Sequence, residues 1–131
     1  MVSVLLQTES HFPVNRARIA DAVKGALAHN IKSRAEVSIA IVGDRRMRQL
    51  NRTFRTIDQS TDVLSFPLND PTTASAPFAS VPDGILRLGD IAVSYPSAVR
   101  QAGEENKLVD DVVISLVLHG LDHLLGIHHP E

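Results

Sequence analysis

The sequence predicts a single α/β (α+β) domain, a mixed and mainly four-stranded sheet with helices packed on it and a histidine-bearing helix at its centre. Three observations predict it. Short Val/Ile/Leu-rich segments alternate at the period of a strand, longer segments between them repeat at the period of a helix, and the most apolar segment of all lies next to a cluster of histidines near the C-terminus. A length of 131 residues fits one domain, and 44% hydrophobic residues suffice for one core without covalent staples.

Residues 2–7 are rich in Val and Leu and read as a first strand. Residues 13–30 carry Val14, Ile19, Ala22, Val23, Ala26 and Leu27 at helical spacing, with Asn30 as a stop. In residues 35–42, Val37, Ile39 and Ile41 alternate with smaller or polar residues, giving a second strand. Gly43-Asp44 follows, with Asp44 as a helix N-cap candidate. A second helix is expected over 45–54, with Met47, Leu50 and Phe54 on its apolar face.

Residues 63–68 read as a third strand, and the Pro-, Ala-, Ser- and Thr-rich stretch 69–84 as a mobile loop. Residues 86–94 alternate again, and Tyr95-Pro96 opens a helix over about 97–105. Residues 106–125 form the most apolar segment, with Asp110 and Asp111 in its first turn and Gly126 at its end. A polar stripe of Asp111, Ser115, His119 and Asp122/His123 crosses this helix, and its burial would call for polar or metal partners.

Composition excludes several classes. With no cysteine there is neither a disulfide framework nor a thiolate metal site, so a metal ion must be held by His, Asp or Glu. The first residues lack a basic segment and a long apolar run, and no stretch approaches the roughly 18 apolar residues of a membrane span. The expected location is the cytoplasm, with no membrane partner. A net charge of −2 means that a nucleic acid would have to meet a local basic patch.

His119 and His123 are four residues apart and stack on one face of a helix, where two imidazoles can grip one ion. Gly126 lets the chain turn back, so that His128 or His129 can supply a third ligand. Three neutral ligands with a fourth position left for water are the arrangement of a catalytic zinc site. Arg45, Arg48, Arg52 and Arg55 recur at three- and four-residue steps on one helix face, a stripe that can track phosphates. Asp62 reads as a turn former, Ser65 and Phe66 as candidates to line a cleft or pack in the core, Asp90 as a candidate to orient a histidine, and Asp122 as a candidate base.

The spacing His-x3-His-x2-Gly-x2-His is shared with metzincin proteases, but those place Glu after the first histidine as general base, where this chain has Gly120. The run His119-Gly120-Leu121-Asp122-His123-Leu124-Leu125-Gly126-Ile127-His128-His129 instead resembles the signature of the YbeY family of endoribonucleases. So do Leu50-Asn51-Arg52-Thr53-Phe54-Arg55, Thr61-Asp62-Val63-Leu64-Ser65-Phe66-Pro67 and Leu88-Gly89-Asp90-Ile91-Ala92-Val93-Ser94, all in the expected order. Asp122 and Ile127-His128 depart from the family's usual residues.

The resemblance implies one Zn2+ on His119, His123 and His129, and cleavage of single-stranded RNA in rRNA maturation and ribosome quality control. It also implies the small ribosomal subunit as a partner and a catalytic or substrate-binding role for Arg55 beside His119 and His123, with Arg45, Arg48 and Arg52 as further phosphate contacts. Two other readings are a metallo-hydrolase of another substrate, such as a peptide, and a non-enzymatic ribosome-binding factor with a structural metal.

Overall fold

The computed structural model describes residues 2–9, 12–28, 34–68 and 85–126. The expected loop 69–84 and the residues after Gly126, His128 and His129 among them, lie outside the described residues. Four strands and four helices follow in the order β1 (Val2–Thr8), α1 (Arg16–Ala28), β2 (Arg34–Val42), α2 (Asp44–Arg55), β3 (Val63–Pro67), β4 (Ile85–Ser94), α3 (Tyr95–Glu105) and α4 (Val109–Leu124). The strands form one sheet in the order β1-β2-β4-β3. β1 and β4 run parallel to β2, and β3 is antiparallel to β4 at the edge.

Alternation divides the sheet into two unlike faces. Val37, Ile39 and Ile41 of β2 and Ile91 and Val93 of β4 face α1, α3 and α4, and together with Val113, Val117 and Leu121 they make the main core. Val42, Leu64 and Ala92 point the other way and meet Met47 of α2 in a smaller cluster. α2 covers only part of that face, leaving a hollow of about 520 Å³ lined by Leu5, Ser38, Arg46, Phe54 and Asp90 among others.

Helix boundaries follow local chemistry. α1 begins at Arg16 rather than Pro13 because Asn15 caps it, its Oδ1 accepting from Arg18 N–H at 3.1 Å. The cap of α2 is Gly43, not Asp44; the Asp44 carboxylate sits inside the first turn and accepts from the hydroxyls of Ser60 and Ser94, both at 3.2 Å. α3 starts at Tyr95 with Ser94 Oγ accepting from Ser97 N–H, and Asn106 ends it in the left-handed region at φ 55°. That ending forces α4 to start at Val109, later than the apolar pattern alone implies. Among the described residues no helix is long and apolar enough to cross a membrane.

α4 is central, as its composition predicts: it packs on α1, α3, β3 and β4. Gly120 sets the distance of closest approach. A Cβ there would stand 2.8 Å from Ile91 Cγ2 and 3.3 Å from Val63 Cγ2, so only glycine lets this turn of α4 lie directly against the sheet. Gly89 acts likewise in β4. Its φ of +140° and a virtual Cβ at 2.3 Å from Phe66 O leave no room for a side chain.

Candidate active site

His119 and His123 stand on successive turns of the exposed side of α4, their ring centroids 4.6 Å apart and their planes at 60°. They meet Arg55, Thr61, Asp62, Val63, Leu64 and Ser65 around one cleft of about 450 Å³. Three parts of the chain therefore build it: the last residue of α2, the connection 56–62 with edge strand β3, and the outer face of α4.

Each wall has a physical anchor. On the α4 side, close packing at Gly120 brings the histidine-bearing turn against Val63 and Ile91. On the α2 side, Thr56 adopts φ 57° and its N–H donates to Arg52 O while Ile57 N–H donates to Asn51 O, which closes the helix just after Arg55. Asn51 is 3% exposed and its Nδ2 donates to Gln59 O at 2.9 Å, pinning the connection from inside. Its Oδ1 has no partner among the described residues. Asp58 clasps Arg48 from outside through two bonds, 2.8 and 3.0 Å, and the guanidinium holds that carboxyl below the usual aspartate range. Asp62 is a turn former, as its sequence context predicts: Oδ1 accepts from Val63 N–H at 2.8 Å and Oδ2 from Gln101 Nε2 at 3.4 Å.

The predicted residues separate clearly. Arg55, His119 and His123 come together. Arg45, Arg48 and Arg52 share the exposed side of α2 but do not line the cleft, and Arg48 is engaged by Asp58. Ser65 lines the cleft, whereas Phe66 lies on the opposite face, its ring 5.1 Å from that of Phe54. Asp90 also lies on that opposite face, away from the histidines, because β4 alternates Ile91 towards α4 and Asp90 towards the hollow. Asp122 is half-buried and is not part of the lining. The polar stripe of α4 needs no compensation for burial: Asp111, Ser115, His119 and His123 are all exposed, and Asp111 accepts from Arg18 of α1 at 2.6 Å. Position 120 faces Ile91, not the cleft, so its glycine serves packing in addition to lacking a proton-transfer group.

The donor set fits a zinc-type ion as far as it is described. His119 and His123, adjacent on one helix face with ring centroids 4.6 Å apart, are donors of the type that such an ion takes. Among the described residues no group of three His, Asp or Glu side chains converges; His128 and His129, the expected third ligands, lie outside them.

Fold and site define a small mixed α/β domain whose histidine pair and single arginine share an open cleft at a sheet edge, a chemistry suited to an anionic substrate. Residues 5–131 match the family described as Endoribonuclease YbeY. A protein of that description from Moorella thermoacetica is 43% identical over 104 residues, 79% of this chain and 66% of that protein. One from Anaeromyxobacter sp. is 45% identical over 95 residues, 72% of this chain and 44% of that protein. One from Dehalococcoides mccartyi is 34% identical over 128 residues, 91% of this chain and 80% of that protein. The solution structure of a Thermotoga maritima protein superposes with a TM-score of 0.60 at 22% identity, covering 97% of this chain and 75% of that one, and shares the fold. The chain belongs to the YbeY endoribonuclease family. It spans less than two thirds of the length of the first two relatives and most of the third.

Proposed function

We propose that this chain is a zinc-dependent endoribonuclease that cuts single-stranded RNA, acting on rRNA during maturation and quality control of the small ribosomal subunit in the cytoplasm. The observation that carries the reading is the meeting of Arg55 with His119 and His123 in one cleft, although they come from helices on opposite faces of the sheet. The relatives named as endoribonucleases support it.

His119 and His123 would hold the ion, with His129 or His128 as the third ligand. The ion would supply Lewis acidity and a water of lowered pKa. The chain's own residues do the rest. Arg55, carried on the last turn of α2, would offer two parallel N–H groups of its guanidinium to a phosphate and stabilise charge that grows on its oxygens. The β3 edge forms one side of the cleft and so limits how the strand lies. An open cleft with few aromatic neighbours suits recognition through the phosphate backbone.

The test is cleavage of a single-stranded RNA by protein purified without a nickel column, with its metal content measured. About one ion per chain is expected, lost with activity in His123→Ala, and Arg55→Glu should lower kcat/KM by roughly 10²–10³-fold with metal retained. Wild-type protein that folds, holds the ion and leaves RNA intact would overturn the reading in favour of a binding factor.

A further inference from the structure

β3 lies at the edge of the sheet, so one row of its backbone groups faces β4 and the other faces outward. The phase of the ladder decides which residues supply the outward row. Ser94 N–H donates to Asp62 O at 2.8 Å at one end, and Leu68 N–H donates to Leu88 O at 3.2 Å at the other. Between them the pairing is continuous, with Leu64 opposite Ala92 and Phe66 opposite Asp90. In an antiparallel pair hydrogen-bonded positions alternate with non-bonded ones. Leu64 and Phe66 therefore bond to β4, and Val63, Ser65 and Pro67 turn their backbone groups outward.

Of these three, Val63 N–H is already taken by Asp62 Oδ1, and Pro67 has no N–H. Among the described residues Ser65 is left as the outward main-chain donor of β3, and it lines the cleft with Arg55, His119 and His123. Leu64, 3% exposed and packed towards α2, also lines the cleft.

We propose that Ser65 N–H is a phosphate-binding donor of this site, donating to a non-bridging oxygen of the RNA phosphate that Arg55 clamps. The inference rests on the ribonuclease reading and adds a specific contact to it. An N–H held in a strand is aimed before substrate arrives and needs no reorganisation as charge develops. A single donor also selects the kind of ligand. An extended peptide adding to a sheet edge needs donors at every second residue, and here the positions on either side of Ser65 are capped or missing. One fixed donor beside a guanidinium matches one tetrahedral anion.

Proline offers a clean test, because at an edge position with an outward N–H it removes that donor and no ladder bond; Pro67 already sits in this way two residues on. Leu64, extended within β3, suits a residue that precedes proline. In the zinc-loaded full chain, Ser65→Pro should lower kcat/KM for single-stranded RNA roughly 10–100-fold, with metal content unchanged. Ser65→Ala, which keeps the N–H, should change it less than about fivefold. In wild-type protein, titration with a short single-stranded 2′-deoxy oligonucleotide should move the Ser65 amide proton downfield while those of Leu64 and Phe66 stay in place. A Ser65 amide that does not move while signals from Arg55 or the histidines do, or a folded Ser65→Pro that cleaves like wild type while Arg55→Glu does not, overturns this inference and leaves the ribonuclease reading standing. Wild-type protein that neither cleaves RNA nor binds the oligonucleotide in the cleft overturns both. Should Ser65→Pro fail to fold, the amide titration of wild type decides alone.

Discussion

The two walls of the cleft are secured by different physics. α4 buries Val112, Val113, Leu116, Val117, Leu121 and Leu124, with Gly120 seated against the sheet, and carries its histidines on the face left over. α2 buries only Met47 and Asn51 and is held along its length to the connection that follows it by polar ties, through Asn51 to Gln59, Arg48 to Asp58 and Asp44 to Ser60. One wall depends on fit and the other on directed bonds, one of them buried at Asn51 and the rest at the surface. Errors of fit on the α4 side should therefore be costly under all conditions, whereas the α2 side should respond to pH and salt with little change in global stability.

The strongest way to break the contrast is at Gly89, which underlies both β3 and α4. Gly89→Ala places a Cβ at 2.3 Å from Phe66 O and 3.1 Å from Leu124 Cδ2, at a φ that L residues rarely adopt. A loss of about 4 kcal/mol is expected, combining backbone strain with overpacking. Urea unfolding measures it, and a loss below about 1 kcal/mol would mean that β3 yields easily. Gly120→Ala is next, at about 2 kcal/mol. The added methyl meets Ile91 inside a close-packed core, so α4 must lift and carry His119 and His123 away from Arg55. RNA cleavage should fall by more than the unfolded fraction explains; activity that only tracks stability would show that the helix does not lift.

The smallest effect belongs to the polar wall. Asp58→Asn should leave the urea midpoint near wild type, because both partners of the Arg48 pair are exposed. Its signature is in pH. The hydrogen bond from Arg48 is the largest influence on Asp58 and depresses its folded pKa. The contribution of the pair is thus fully present above the ordinary aspartate value of about 3.9, and it is lost as pH falls through the lower folded value. An NMR titration of the Asp58 carboxyl in wild type should show that depression, shrinking with added salt. A titration at or above the ordinary value would show that the clasp does not form.

Much of this was legible in the sequence, for identifiable reasons. Strand alternation and helical spacing located most of the eight described elements, because each face of this sheet is at least partly buried and imposes its period; Val/Leu richness marked the first strand and Tyr95-Pro96 the third helix. The pairing of His119 with His123 is legible because it is local to one helix. Arg55 is a different case. Its stripe mates Arg45, Arg48 and Arg52 have the same spacing, and only the crossing of α2 over β3 selects which of the four reaches the cleft; the family resemblance singled it out where charge pattern did not. The roles of Asp44, Asp90 and Ser65 depend on capping geometry, strand phase and ladder phase, all set by pairing between distant segments. Asn51 gave one faint signal, an amide on the buried side of a short polar helix. The apolar character of α4 suggested that its polar stripe was buried, but the sheet and the two neighbouring helices leave one of its sides in solvent.

Among the described residues β3 is the shortest strand, five residues long, and is bonded to a neighbouring strand on one side only. Cooperative units of this kind open at lower free energy than the centre of a sheet. Partial melting at this margin would dismantle the cleft while β2, β4 and the apolar helix stay assembled. The molecule can thus lose its working surface before it loses its shape, so stress that spares the main core still reaches the cleft through these five residues.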